Sequence, residues 1–250
     1  MIKLIAANWK MYKNASEAQA TATELVKLVA KLPKDCEVAV FPPFTAIHAV
    51  AQAFKGQEGY SVGGQDVYFA KEGAFTGEIS PQMLMDAGCT YVLTGHSERR
   101  HVLGESNELV GKKTVFALEQ GLRVILCVGE TLKQREAGEL ADILHIQLLQ
   151  GLKGVPANIH AKDIVIAYEP VWAIGTGKVA GPAEIEEAHA LVRKYIKEFL
   201  PAESQEVRIL YGGSVKPENA GEIKMLDNVD GLLVGGASLQ ADTFSKIIMG

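Results

Sequence analysis

Short apolar segments rich in β-branched residues recur along the chain, and helix-forming or loop segments separate them. Such runs are typical of buried strands. We predict strands over residues 1–10, 36–41, 61–65, 91–94, 123–128, 164–167, 207–211 and 232–234. Strands that alternate with helices form parallel sheets, and eight such units in 250 residues predict an α/β fold, a closed (β/α)8 barrel. A doubly wound open sheet is the alternative.

The intervening helices are predicted from apolar spacing and capping signals. They include one from about 105 to 120, one over roughly 136–152, and one that begins near Pro182 and ends at Pro201. No linker or low-complexity segment interrupts the alternation. We therefore expect residues 1–250 to form a single domain.

Bulk composition excludes several classes of protein. The net charge of −5 indicates no surface for nucleic acid or for an anionic membrane. No apolar segment is long enough to span a membrane. Three widely spaced cysteines, Cys36, Cys89 and Cys127, favour a reduced, cytoplasmic protein without a disulfide framework.

In a parallel barrel the chemistry lies at the carboxyl ends of the strands and in the loops that follow them. The sequence places polar residues and glycines at several of these ends. They are Asn8, Lys10, Gln65, His96, Glu98, Glu169, Ser214, Gly235 and Gly236. Asn8 and Lys10 would share one face at the end of the first strand, because side chains alternate along a strand.

Glycine pairs follow the last two predicted strands, at Gly212-Gly213-Ser214 and at Gly235-Gly236. Glycine lets main-chain N–H groups approach an anion closely, and barrels frequently bind phosphate at these two loops. Either pair alone would be satisfied by a tight turn. Two pairs at the two expected loops favour a phosphate site.

Glu169 ends the sixth strand, and a loop with proline at one end and glycine near the other follows it. This pattern suggests a catalytic base beneath a movable lid. Gly175-Thr176-Gly177-Lys178 resembles parts of nucleotide-binding motifs, but it does not join strand to helix directly and lacks the remaining P-loop residues. We reject both nucleotide interpretations.

The remaining reactive side chains are suited to only a few types of reaction. His96 follows a strand and a glycine, where an imidazole can meet a carbonyl. Cys127 has no matched base and is expected to pack inside the barrel, and no metal-ligand spacing is present. A carboxylate, an imidazole, a lysine and a phosphate site suit proton abstraction next to a carbonyl.

Several motifs, in order and over essentially the whole chain, resemble the triosephosphate isomerase family. They are Asn8-Trp9-Lys10, the segment 73–78 (GAFTGE), the segment 95–100 (GHSERR), the segment 167–178 (AYEPVWAIGTGK), the segment 211–215 (YGGSV) and the segment 235–238 (GGAS). The resemblance implies a TIM barrel that interconverts dihydroxyacetone phosphate and glyceraldehyde 3-phosphate in glycolysis and gluconeogenesis, without a metal or other cofactor.

The resemblance also implies residue roles. Glu169 would move the proton, a neutral His96 would polarise the carbonyl, Lys10 and Asn8 would complete the electrophilic side, and Glu98 would position them. Main-chain groups at Gly175, Ser214, Gly235 and Gly236 would bind phosphate. Tyr211 would latch a lid formed by Pro170, Val171, Trp172, Ala173, Ile174, Gly175, Thr176, Gly177 and Lys178.

The family is usually a homodimer, which implies that the loop from Gln65 to Glu78 inserts beside the neighbour's lysine. Gln65, Phe75, Thr76 and Gly77 are the expected interface residues. Asp66 departs from the family, which commonly has Asn there. The added negative charge would bear on dimer strength and its pH dependence.

Two alternatives remain at this point: another phosphate-sugar enzyme, an epimerase or aldolase, and a barrel that only binds phosphate. An aldolase needs a Schiff-base lysine or a metal, and an epimerase needs a second acid–base group or a metal. A phosphate-binding barrel that has lost catalysis would need only the glycine loops, so Glu169, His96 and Lys10 argue against it.

Overall fold

A computed structural model describes residues 1–156, 158–174, 178–200, 202 and 204–250. Within these residues eight parallel strands pair in chain order, and the last pairs with the first, so the sheet is a closed barrel as predicted. The strands are β1 (Lys3–Asn8), β2 (Cys36–Phe41), β3 (Tyr60–Gly64), β4 (Tyr91–Thr94), β5 (Arg123–Val128), β6 (Ile164–Tyr168), β7 (Arg208–Tyr211) and β8 (Gly231–Val234).

Helices surround the barrel. Those described are α1 (Ala15–Val29), α2 (Ile47–Phe54), α3 (Pro81–Asp86), α4 (Ser97–His101), α5 (Asn107–Glu119), α6 (Leu132–Glu136), α7 (Leu140–Leu152), α8 (Pro182–Phe199), α9 (Pro217–Met225) and α10 (Ala241–Met249). None of the helices in the described ranges has both the length and the apolar character needed to cross a membrane.

Alternation along each strand divides the apolar residues between two cores. On β1, Leu4 and Ala6 point into the barrel, whereas Ile5 and Ala7 pack in the larger cluster beneath the helices. Cys127 is fully buried in the interior cluster, in keeping with the predicted packing role. The barrel is therefore filled, and the site must form above it in the loops.

Barrel closure depends on a glycine at the start of β8. Gly231 pairs with Leu4 of β1 and has φ of +153°. A Cβ atom at this position would lie 2.0 Å from the Leu4 carbonyl oxygen. Only glycine combines this backbone conformation with so close an approach of the first and last strands.

Three element boundaries differ from the prediction. Strand β1 ends at Asn8, because Lys10 adopts φ of +50° and turns the chain. The helix predicted over 136–152 is α7, which begins only at Leu140, because a separate short helix, α6, ends at Glu136 and Gly138 at positive φ lies between them. The segment after Gly95 contains a short helix, α4, whose length is too small for apolar periodicity to reveal.

Candidate active site

A cavity of about 360 Å³ opens at the carboxyl ends of the strands. Most of the residues predicted from strand ends meet in it, although they come from loops far apart in the chain, whereas Gln65 and Glu98 do not line it. Its lining includes Asn8, Lys10, His96, Glu169, Ile174, Ser214, Gly235 and Gly236, together with Trp9, Tyr12 and Lys216, which were not predicted.

Glu169 lines this cavity and is buried. Its Oε1 accepts a hydrogen bond from His96 Nε2, with 3.0 Å between the two atoms. Its Oε2 accepts the main-chain N–H of Ser97 at 2.8 Å. Both carboxylate oxygens are thus held by residues that follow β4.

The pKa values of these two side chains are coupled. Burial acts to raise the pKa of Glu169, but His96, the Ser97 N–H and Lys10 outweigh it and hold that pKa below its usual value. Burial acts to lower the pKa of His96, but the adjacent Glu169 carboxylate keeps it above its usual value. The contact therefore favours an ionised carboxylate at neutral pH.

The tautomer of His96 follows from its second nitrogen. Nδ1 accepts the main-chain N–H of Glu98 at 3.3 Å, and the Glu98 carboxylate, 3.6 Å away, is too far for a hydrogen bond. An accepting Nδ1 carries no proton, so the neutral imidazole has its proton on Nε2. Nε2 is also the nitrogen that faces Glu169.

Hydrogen bonds fix both the main-chain N–H and the main-chain carbonyl of Lys10. Asn8 Oδ1 accepts the Lys10 N–H at 2.9 Å, and Gln65 Nε2 donates to the Lys10 carbonyl at 2.7 Å. These bonds secure a left-handed conformation that costs about 1 kcal/mol or more outside glycine. Asn8 and Lys10 therefore line one cavity because of this turn, and not because of strand alternation.

The Lys10 ammonium group reaches across the mouth to the loop after β4. Its Nζ lies 2.7 Å from Glu98 Oε1. Glu98 itself does not line the cavity. Its contact with the site is through Lys10, and its positioning role stays a prediction.

The two glycine loops form the opposite wall of the cavity. Gly236 has open space where a Cβ would stand, whereas a Cβ at Gly212 would lie 2.9 Å from the Glu169 side chain. The Ser214 hydroxyl donates to the Ala173 carbonyl at 2.6 Å, which ties the loop after β7 to the lid. The free space beside Gly236 is the part of the wall that an anion can enter.

The predicted lid is residues 170–178. Gly175, Thr176 and Gly177 lie outside the described residues. The first part of the lid is anchored on Glu130, which follows β5: Trp172 Nε1 donates to Glu130 Oε1 at 2.8 Å, and the Tyr168 hydroxyl donates to the same atom at 3.1 Å. Burial raises the pKa of Glu130, and these two donors oppose the rise.

Tyr211, the predicted latch, is buried at the end of β7. Burial raises the pKa of its hydroxyl, and the main-chain N–H of Ala180, just beyond the lid, partly offsets the rise. Within the described ranges the hydroxyl makes no full hydrogen bond. It lies over Gly213, where a Cβ would be 2.2 Å away. Its O–H proton has no acceptor among the residues that the structure describes.

The expected interface residues do not line the cavity. Gln65 is half-buried and bonds within its own chain, to the carbonyls of Lys10 and Phe41. Phe75, Thr76 and Gly77 are exposed at the tip of the loop after β3, and Gly77 has φ of +95°. The tip is available for a partner, whereas Gln65 has an intrachain role.

The Asp66 charge is compensated within the chain. Lys113 Nζ lies 2.9 and 2.7 Å from its two oxygens, and Arg99 lies 2.9 Å away. Lys113 also contacts Glu105 at 2.5 Å. Burial raises the pKa of Asp66, and the two cations oppose the rise. Asp66 is therefore part of a buried network and adds no free charge to the surface.

Two groups at the site were not predicted from the sequence. The Ser97 N–H is a main-chain group, and Glu130 follows a strand but resembles any other polar loop residue. The strand-end rule that identified Glu169 applies equally to Glu130, two residues after β5. Among the described residues, no group of three or more His, Cys, Asp or Glu side chains is arranged to hold a metal ion.

Comparison with known proteins assigns the chain to a family. The family model described as triosephosphate isomerase matches residues 3–250. The chain is 64% identical over 250 residues to the triosephosphate isomerase of Nitratidesulfovibrio vulgaris strain Hildenborough, with 100% of both chains covered. It is 62% identical over 249 residues to that of Oleidesulfovibrio alaskensis strain G20, with 100% of both covered. With that of Lawsonia intracellularis it shares 51% identity over 245 residues, 98% of this chain and 96% of the relative. The chain belongs to the triosephosphate isomerase family.

Proposed function

We propose that this chain, as a single domain, interconverts dihydroxyacetone phosphate and glyceraldehyde 3-phosphate without a metal or other cofactor. The proposal rests above all on the pairing of Glu169 with His96 inside a cavity that also contains Lys10 and two glycine loops. The reaction moves one proton between adjacent carbons through an enediolate. It requires a base, a group that polarises the carbonyl, and a site for the phosphate.

Glu169 is the base. Its lowered pKa keeps it ionised at neutral pH, but both oxygens are occupied by His96 and Ser97. It must release these partners to reach a substrate carbon. Once it leaves, the carboxylate no longer raises the pKa of His96, and burial then favours the neutral imidazole. Neutral His96 can donate its Nε2 proton toward the carbonyl oxygen.

Lys10 supplies the positive charge for the developing oxyanion. A lysine in a half-buried cavity stabilises such a charge more strongly than one in water. Glu98 accepts a hydrogen bond from its ammonium group, and hydrogen bonds with Asn8 and Gln65 fix its main chain. Asn8 also lines the cavity. These residues together form the electrophilic side of the site.

The phosphate is proposed to bind at Ser214, Gly235 and Gly236, with Gly175 of the lid added on closure. Open space beside Gly236 supports this assignment. Closing loops sequester reactive intermediates from water, and triosephosphate isomerase is itself the standard example. Closure would hold the enediolate phosphate in a geometry that suppresses loss of phosphate. The hydroxyl of Tyr211, close to the Ala180 N–H at the end of the lid, is suited to latch the closed lid.

A homodimer is proposed from exposed apolar side chains on neighbouring loops. Met11, Phe75, Val102 and Leu103 follow β1, β3 and β4 at the same end of the barrel, and Met11 is 93% exposed. Large apolar side chains left exposed at one end of the barrel favour an interaction site there. We further propose a cytoplasmic enzyme of glycolysis and gluconeogenesis that binds neither nucleic acid nor membranes.

Hydrogen exchange during turnover tests this function. The protein is incubated with dihydroxyacetone phosphate in deuterated water, and the C1 protons are followed by NMR. Loss of one C1 proton together with glyceraldehyde 3-phosphate formation is expected. Folded protein that binds the ligand but exchanges no proton would instead be a phosphate-binding barrel without catalysis.

A further inference from the structure

The chain segments that follow β5 and β6 remain paired beyond the strands themselves. The Glu169 N–H donates to the Val128 carbonyl at 2.7 Å, and the Val171 N–H donates to the Glu130 carbonyl at 3.1 Å. The residues at 129 and 130 thus run beside the proposed base and the start of the lid. Strand β4 ends at Thr94, opposite Leu126, so no strand covers the other side of this extension.

Main-chain groups on that uncovered side need other partners. In a parallel ladder the N–H and C=O of one residue face the same neighbour, and successive residues face opposite neighbours. Val128 and Glu130 face β6, so Gly129 faces the side that β4 has left. An unpaired buried main-chain group is costly, because it has lost its hydrogen bonds to water without a replacement.

Gln147 of α7 supplies both partners. Its Oε1 accepts the Gly129 N–H at 2.7 Å, and its Nε2 donates to the Gly129 carbonyl at 3.1 Å. The side chain is buried. Two residues earlier, Arg100 donates to the Cys127 carbonyl at 3.1 Å on the same edge. Side chains therefore cap this edge at each position where β4 is missing.

The main chain of Gly129 is in direct contact with that of Glu169, the proposed base. A Cβ there would lie 1.8 Å from the Glu169 carbonyl oxygen, so the two main chains touch without an intervening side chain. The next residue, Glu130, is the anchor for Trp172 in the lid. A shift of Gly129 would therefore move both the base and the lid anchor.

We propose that Gln147 is a positioning residue for the isomerisation. Through Gly129 it fixes the main chain of Glu169 and the carboxylate that anchors the lid. This inference rests on the proposed roles of Glu169 as base and of residues 170–178 as lid. Gln147 itself is outside the cavity lining and contacts no substrate.

The first test replaces Gln147 by Met, which has nearly the same shape but neither hydrogen bond. Gln150→Met is the matched control, because Gln150 is on the same helix and lines an outer groove between α5 and α7. Misplacement of reacting groups by about 1 Å can cost about 100-fold in rate. We expect kcat of Gln147→Met to fall about tenfold to 100-fold, with a greater share of turnover lost as inorganic phosphate, and Gln150→Met to match wild type.

Lid position is measured independently of activity. The chain has two tryptophans, so 5-fluorotryptophan labelling gives two ¹⁹F NMR signals, and Trp172→Phe identifies the lid signal. Gln147→Met should shift or broaden the Trp172 signal and leave that of Trp9 in place. An unchanged Trp172 signal together with wild-type kcat would overturn the proposal, as would equal losses in Gln150→Met.

A Gln147→Glu variant keeps the test decisive if the Met variant does not fold. A protonated carboxyl can accept the Gly129 N–H and donate to its carbonyl, whereas a carboxylate can only accept. The ratio of its kcat to that of wild type should therefore rise as pH falls. A ratio independent of pH contradicts the proposal. If wild type itself fails to isomerise, the proposed function fails, but the Trp172 signal still reports on Gln147.

Discussion

The indole N–H of Trp172 donates to the Glu130 carboxylate at 2.8 Å, which ties the lid to the loop after β5. In the same arrangement Glu169 is turned toward His96 and Ser97. The arrangement in which Trp172 bonds to Glu130 is thus also the one in which both carboxylate oxygens of Glu169 are occupied. The Trp172–Glu130 bond stabilises the arrangement from which the proposed lid would move for catalysis.

Trp172→Phe should shift the lid away from this arrangement. A hydrogen bond to a charged group contributes about 1.5–3 kcal/mol, so the shift should be roughly tenfold or more. We expect tighter binding of glycerol 3-phosphate, a non-reacting analogue, and a lower kcat as product release slows. Tyr168→Phe removes the second donor to Glu130 and should act in the same direction. Unchanged analogue affinity in both variants would contradict the anchor role.

Glu169→Gln should remove the base and retain the shape of the site. General base catalysis contributes about 10²- to 10⁴-fold, so kcat should fall within that range. Affinity for glycerol 3-phosphate, measured by calorimetry, should change little, because the phosphate loops are unaltered. A large loss of affinity would assign Glu169 to binding and not to proton transfer.

Gly236→Ala and Gly236→Val should block phosphate in proportion to their size. Gly236 does not have a positive φ and has open space where a Cβ would stand, so thermal stability should remain near that of wild type. Affinity for inorganic phosphate and for triose phosphates should fall from Gly to Ala to Val, as measured by titration. Full affinity in the Val variant would place the phosphate elsewhere.

His189 should make stability depend on pH. Burial lowers its pKa from 6.5 to about 4, with a hydrogen bond to the Asn228 carbonyl opposing the shift. Between these values the unfolded chain binds a proton that the folded chain does not, so the free energy of unfolding falls as pH falls. The loss from pH 7 to pH 5 should be roughly 2 kcal/mol.

Urea unfolding of wild type and His189→Gln at both pH values measures this contribution. Other groups titrate in both proteins, so the difference between their pH dependences isolates His189. We expect the variant to lose less stability on acidification than wild type. Identical pH dependence would show that His189 is not held neutral by burial.

Lys113→Met should break the buried charge network around Asp66. Removal of one partner from a buried ion pair costs about 3–5 kcal/mol, because the remaining charge is left uncompensated. Adding Asp66→Asn should recover part of this loss in a double-mutant cycle of urea midpoints. Lys112→Met, at the exposed neighbouring position, is the control and should stay close to wild type. Additive effects of the two buried substitutions would rule out direct coupling.

The barrel was predictable because its pattern is local. Each strand is a short apolar run, and the site residues follow strand ends, so chain order alone placed Glu169, His96 and Ser214 at one face. The predicted ends of strands and helices were less accurate where a backbone turn interrupts the apolar pattern. Lys10 leaves the strand through a left-handed conformation that Asn8 and Gln65 secure, and no local periodicity reports such a turn.

The sequence by itself determined the order of the strands, the residues at their carboxyl ends and, through its motifs, the family. Only the tertiary structure decided which side chains support one another. Trp172 and Glu130 are 42 residues apart, Asp66 and Lys113 are 47 apart, and Gln147 and Gly129 are 18 apart. Barrel closure and helix packing set these distances in space. A hydrogen bond needs its two atoms within about 3 Å, which no spacing along the chain can specify.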